Sequence, residues 1–230
     1  MLMLEKNLIQ IAGVQDINEA LMLQQCGVKY LGFPLRIDIN KEDISEDEAG
    51  DIINFLSAST NAVIITYIND PDEIADLCNS LSVSIVQLHG DIDPYKLKEL
   101  KHISPDLTVI KSLVPGYHDI SSIEHMIGEQ YEEVDAFITD TYDPSTKARG
   151  ATGKTHDWGI SGNIVKHSSR PVILAGGLNP DNVREAIIRV KPFGVDCHTG
   201  VEGKDGRKSA AKVRLFVSEA KKGFKQIGHN

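Results

Sequence analysis

The chain alternates, eight times over, between a short apolar run and a longer amphipathic segment. The runs are Ile9–Ala12, Lys29–Phe33, Val63–Tyr67, Ser84–Leu88, Thr108–Leu113, Ala136–Thr139, Val172–Ala175 and Gly194–Cys197. The segments behind them predict helices over Ile17–Gln25, Glu46–Leu56, Asp72–Ser80, Pro94–Lys101, Ser121–Glu129, Trp158–Lys166, Asn182–Val190 and Ser209–Lys221. The runs are rich in β-branched residues and lack a polar–apolar alternation, as strands buried on both faces do. Helix starts are marked by Asp16, by Ser45 and by Asn179-Pro180, whose side chains or fixed φ suit a first turn. Eight strand–helix units imply an α/β fold, a single (β/α)8 TIM barrel over residues 1–230, with loose ends at Met1–Lys6 and Gly223–Asn230. The competing doubly wound sheet carries a glycine-rich turn after its first strand. Here that turn reads Ala12-Gly13-Val14-Gln15.

Composition narrows the function. Lys and Arg number 24 against 33 Asp and Glu, a net charge of -9, which disfavours nucleic acid as a partner. No apolar run is long enough for a membrane span, and the first residues do not read as a signal peptide. The three cysteines, Cys26, Cys78 and Cys197, have no metal-ligand spacing, and an odd count suits a reducing, cytoplasmic setting.

In such a barrel the chemistry sits at the C-terminal ends of the strands. Ala175-Gly176-Gly177-Leu178-Asn179 follows the seventh run and His198-Thr199-Gly200-Val201-Glu202 the eighth. Together these loops read as one phosphate cradle, with Gly176, Gly177, Thr199 and Gly200 bringing main-chain amides to an anion. Asp140 ends the sixth run and is a candidate acid–base group, the alternative being a loop cap. Asp196 is an acid inside an apolar strand and needs a partner, either a substrate hydroxyl or a neighbour in the core. His89 and Lys111 also fall at strand ends and are candidates for ligand contact. Gly150-Ala151-Thr152-Gly153-Lys154-Thr155 fails as a nucleotide loop, since Ala148 stands where a glycine is required. It reads instead as a lid over substrate.

Four collinear motifs resemble the phosphoribosylanthranilate isomerase family. They are Gln87-Leu88-His89-Gly90-Asp91, the loop from Gly150 to Trp158, Pro171 through Pro180, and Gly194-Val195-Asp196 with Gly200-Val201-Glu202. The resemblance implies an Amadori isomerase of tryptophan biosynthesis acting on a small phosphorylated sugar. No metal or organic cofactor is implied, because the substrate's own imine is the electron sink. It implies Asp140 as general acid, Asp196 as a group facing the sugar, and the two loops as the phosphate site. Two positions depart from the family. Its cysteine base after the first strand is Ala12 here, and the arginine that grips the anthranilate carboxylate aligns with Glu42, leaving Arg36 as a substitute. Three readings follow. The first is an isomerase whose base is replaced by His198, His89 or Cys197, the last facing the wrong side of its strand by parity with Asp196. The second is an enzyme for another phosphorylated sugar or aromatic ligand, with His198 as acid–base group. The third is a binding protein without turnover.

Overall fold

The computed structural model describes residues 4–37, 44–115, 120–143, 148–149 and 157–228. Eight parallel strands close into a barrel in the order β1-β10-β9-β6-β5-β4-β3-β2. Their ranges are β1 Leu8–Ala12, β2 Tyr30–Pro34, β3 Asn61–Thr66, β4 Ile85–Leu88, β5 Thr108–Leu113, β6 Ala136–Thr139, β9 Val172–Leu174 and β10 Gly194–Cys197. Two further short strands, β7 (Tyr142–Asp143) and β8 (Ala148–Arg149), pair antiparallel in the loop after β6. The shell comprises α1 Ile17–Gln25, α2 Glu46–Asn54, α3 Pro71–Ser80, α4 Pro94–Ile103, α5 Ile120–His125, α6 Trp158–His167, α7 Val183–Val190 and α8 Ala210–Gln226.

Strand parity divides the core into two. Leu8, Ala12, Tyr30, Val63, Ile65, Ile85, Ile110, Ala136, Ile138, Ile173 and Ala175 fill the barrel interior. Their neighbours along the strands, such as Ile9, Ile11, Val109 and Val195, pack outward under the helices. Both faces are therefore apolar, which is why the runs carry no alternation. Toward the C-terminal ends the interior becomes polar, with Gln10, Gln87, His89, Ser112, Asp140 and Asp196 all buried. Buried polar groups need partners, and that change of character marks the site.

The expected helix starts hold in detail at α1, where the Asp16 carboxylate accepts from the Glu19 amide, and at α2, where Ser45 and Glu48 form a capping box. Three expectations are corrected. The helix predicted over Ser121–Glu129 begins one residue earlier as α5 and passes into a π-helical turn over Met126–Gln130. The start expected at Asn179-Pro180, with Asn182 as the first helical residue, is displaced: α7 begins at Val183, Asn179 Oδ1 accepts from the Asp181 amide in the preceding turn, and the Asn182 side chain donates to the Gly177 carbonyl and accepts from the Asn179 amide. The last helix runs on to Gln226, because Phe224 lies on its buried face; a loose end from Gly223 is therefore wrong. Among the described residues no helix is long and apolar enough to cross a membrane.

Candidate active site

Asp140 follows directly on β6, its amide donating to the Leu113 carbonyl. Its carboxylate Oδ1 accepts from the Thr141 amide at 2.7 Å. Burial outweighs that bond and pushes the Asp140 pKa up to about 7. The carboxyl thus retains a proton near neutrality, as a general acid must. His89, just beyond β4, places Nε2 3.5 Å from Asp140 Oδ2. The other ring nitrogen lies 2.7 Å from Ser112 Oγ and 3.4 Å from Gln87 Nε2. Gln87 Oε1 in turn accepts from Gln10 Nε2 at 2.9 Å. The Tyr67 ring packs against the imidazole in a T-shaped arrangement, centroids 5.3 Å apart.

Asp196 enters from β10, opposite Gln10 in register and pointing inward. Burial raises its pKa to about 7, the negative charge of Asp140 adds to the rise, and the Gln10 side chain and Lys208 oppose it. Its Oδ1 is buried without a hydrogen-bond partner among the described residues. Asp140, Asp196 and His89 are therefore brought together at one mouth of the barrel.

The loops after β9 and β10 abut one another. Gly176 and Gly177 take φ of 93° and 64°, a conformation that side chains disfavour. A Cβ on Gly200 would run into the Leu178 carbonyl oxygen, so only glycine allows the loops so close. Among the described residues the amides of Gly176 and Gly177 find no main-chain acceptor, and Thr199 opens a short 3-10 turn, Thr199–Val201. Such a cluster of amides can hold an oxyanion.

Two candidates are placed differently from expectation. Lys111 shares the parity of Val109 and Leu113 and faces the helix layer. Its buried ammonium lies 5.8 Å from the Tyr131 ring and donates to the Ser112 carbonyl; it does not line the mouth. His198 stacks so closely over Gly13 that a Cβ there would collide with its ring. Burial, then the charge of Lys208, holds its pKa down to about 3, so the ring is neutral and a poor acid–base group near pH 7. The Lys208 ammonium donates to the His198 carbonyl at 3.0 Å and to Glu202 Oε1 at 2.7 Å. Cys197 faces outward as parity predicts; burial pushes its thiol up to about 12. Arg36, with φ of 50°, holds Glu46 through Nε and a terminal nitrogen at 2.6 and 3.0 Å. Ala12 lies on the inner face at the end of β1. Glu42 and the lid over Gly150–Thr155 lie outside the described residues. Among the described residues no cluster of three or more His, Cys, Asp or Glu side chains is arranged to hold a metal.

Gln10, Gln87 and Ser112 join the site without having been singled out from the sequence. Their signal is a polar residue inside an apolar strand run, which for Gln10 and Gln87 lies two positions from Ala12 and His89 on the same face.

The family model of N-(5'-phosphoribosyl)anthranilate isomerase matches residues 9–219. The chain belongs to this family. An N-(5'-phosphoribosyl)anthranilate isomerase 2 of Methanosarcina mazei is 37% identical over 221 residues, covering 95% of this chain and 96% of its relative. The Geobacter sulfurreducens isomerase is 35% identical over 213 residues, covering 93% and 98%. Among solved structures, the Thermotoga maritima phosphoribosylanthranilate isomerase superposes with a TM-score of 0.79 at 28% identity, over 94% of this chain and 99% of that one. A phosphoribosylanthranilate isomerase in complex with reduced 1-(o-carboxyphenylamino)-1-deoxyribulose 5-phosphate matches at 0.77 and 26%, with the same coverage.

Proposed function

We propose that the chain isomerises N-(5'-phosphoribosyl)anthranilate by an Amadori rearrangement, an aldose–ketose conversion in tryptophan biosynthesis, and acts in the cytoplasm. The observation that carries this reading is Asp140, a buried carboxyl at a strand end whose pKa is raised to about 7. A proton held there is available to the ring oxygen of the sugar, and its transfer opens the ring to an imine. Family membership supplies the substrate class. Gly176, Gly177, Thr199 and Gly200 would receive the phosphate on main-chain amides. Asp196 and His89 face the sugar between that cradle and β4. Arg36 would exchange Glu46 for the aromatic carboxylate, a trade between two anions on one guanidinium.

The test is turnover of phosphoribosylanthranilate by the purified protein and by Asp140→Asn. The natural protein should form product at an ordinary enzyme rate. The variant should lose roughly 10²–10⁴-fold in kcat. An inactive natural protein, or an Asn variant as fast as its parent, would refute the assignment.

A further inference from the structure

An Amadori rearrangement also needs a base at C2 of the sugar, and alanine at position 12 provides none. Position 12 ends β1, whose pairing with β10 sets Gln10 opposite Asp196 and Ile11 opposite Cys197. The inward-facing groups on the strand beside Ala12 are therefore Asp196 and, just beyond the strand, His198. Cys197 faces the helices and donates to the Leu178 carbonyl at 3.1 Å. His198 is pressed over Gly13 and kept neutral by its surroundings, so it has little proton affinity to offer. His89 is engaged by Ser112 and by Asp140 itself. Asp196 differs from all three. Its side chain points into the mouth, Gln10 steadies it from the adjacent strand, and Oδ1 has no hydrogen-bond partner among the described residues. Leaving a buried acceptor oxygen unpaired is costly, so its retention at the mouth points to a proton or hydroxyl arriving with the ligand.

Resting on the isomerase reading, we propose that Asp196 is the general base that takes the C2 proton of the open-chain imine, in place of the side chain that position 12 lacks. The proton count closes with two carboxyls. Asp140 gives its proton to the ring oxygen and becomes an anion. Asp196 takes the proton from C2; the C–H electron pair forms the C1=C2 bond, and the C1=N pair moves onto nitrogen. Asp196 then returns its proton to C1 as the enol at C2 becomes a ketone. The enol proton passes to Asp140, which is restored. Nothing is oxidised or reduced from outside, and both side chains end as they began.

The pair suits this division of labour. Two carboxylates sharing a buried site cannot both ionise easily, so they titrate as a unit that carries one proton near neutrality. The other groups facing them are Lys208, whose charge favours ionised Asp196, and His89 beside Asp140, with His198 at the rim.

The experiment compares the natural protein with Asp196→Asn and Asp196→Glu. It measures kcat and KM on phosphoribosylanthranilate across pH 5–9 as well as affinity for the reduced deoxyribulose 5-phosphate analogue. Asparagine keeps the size and the accepting oxygen but not the basicity. The expected result is a fall in kcat of roughly 10²–10⁴-fold for Asn, with analogue affinity within about threefold and the limb of kcat that rises with pH abolished. Glutamate, which keeps a carboxylate, should retain more activity than asparagine. If the Asn protein does not fold, the Glu protein alone decides: its pH profile should keep the rising limb. An active parent with an equally active Asn variant overturns the base assignment alone. So does an Asn variant whose activity falls only as far as its analogue affinity, which would make Asp196 a sugar-holding residue. A parent that binds the analogue and makes no product overturns the isomerase reading, and the base with it.

Discussion

Asp140 and Asp196 hold protons that the unfolded chain would release. With the Asp140 pKa raised from 3.8 to about 7, the folded state binds more protons than the unfolded state between those values. Stability from this group is therefore complete below about pH 4 and is lost as pH rises through 7. Asp140→Asn removes the titration. Thermal unfolding followed from pH 4 to pH 8 should show the natural protein losing ground that the variant keeps, so that the variant melts a few degrees higher at pH 8. Equal pH slopes for the two proteins would contradict the buried, raised carboxyl. Both acids are legible from sequence, because a carboxylate next to an apolar strand run requires a reason. Lys111 is not, since polar residues stand on both faces of β5 and no pattern tells which face is the interior. His198 reads as a neutral-pH switch only until its burial against Gly13 and the charge of Lys208 are known.

The loops after β9 and β10 pack against one another although two different strands carry them. Gly200→Ala would place a methyl group on the Leu178 carbonyl, and overpacking of this kind costs about 1–3 kcal/mol. At about 2–4 °C per kcal/mol for a chain of this size, the melting temperature should fall by several degrees. KM for the phosphorylated substrate should rise, because the two loops could no longer converge; an unchanged KM would separate the cradle from substrate binding. That glycines let these two loops turn is readable from sequence, since Gly-Gly is a local feature; their approach to one another is a finding of the structure. The later start of α7 is not readable there, because Asn179 and Asn182 use their side chains on the turn before the helix. The π-helical turn after α5 and the continuation of α8 past Gly223 are equally hidden. Each depends on what the element packs against.

Closure of the barrel joins the first strand to the last, and that seam is closely packed. A Cβ on Gly194 would stand 2.8 Å from the Leu8 Cβ and 2.9 Å from its carbonyl oxygen. Gly194→Ala should therefore wedge β1 from β10 and lower stability by about 1–3 kcal/mol, measured by denaturant titration, with loss of activity following the loss of fold. The eightfold alternation makes the closed architecture legible in one dimension. Which strands lie closest is not, since a glycine in an apolar run looks the same whether it meets a neighbour or solvent. Gly32 illustrates this on the other flank of β1. A Cβ there would stand 3.0 Å from that of Ala12 and closer still to Ile65. Positions 12 and 32 thus draw on a single allotment of space. Bulk at one of them requires that the other stay small, so a longer side chain introduced at 12 has room only while 32 remains glycine. Bulk added at 32 would shut that opening, and any side chain placed at 12 would then have to push aside Ile65 or the second strand to enter the barrel.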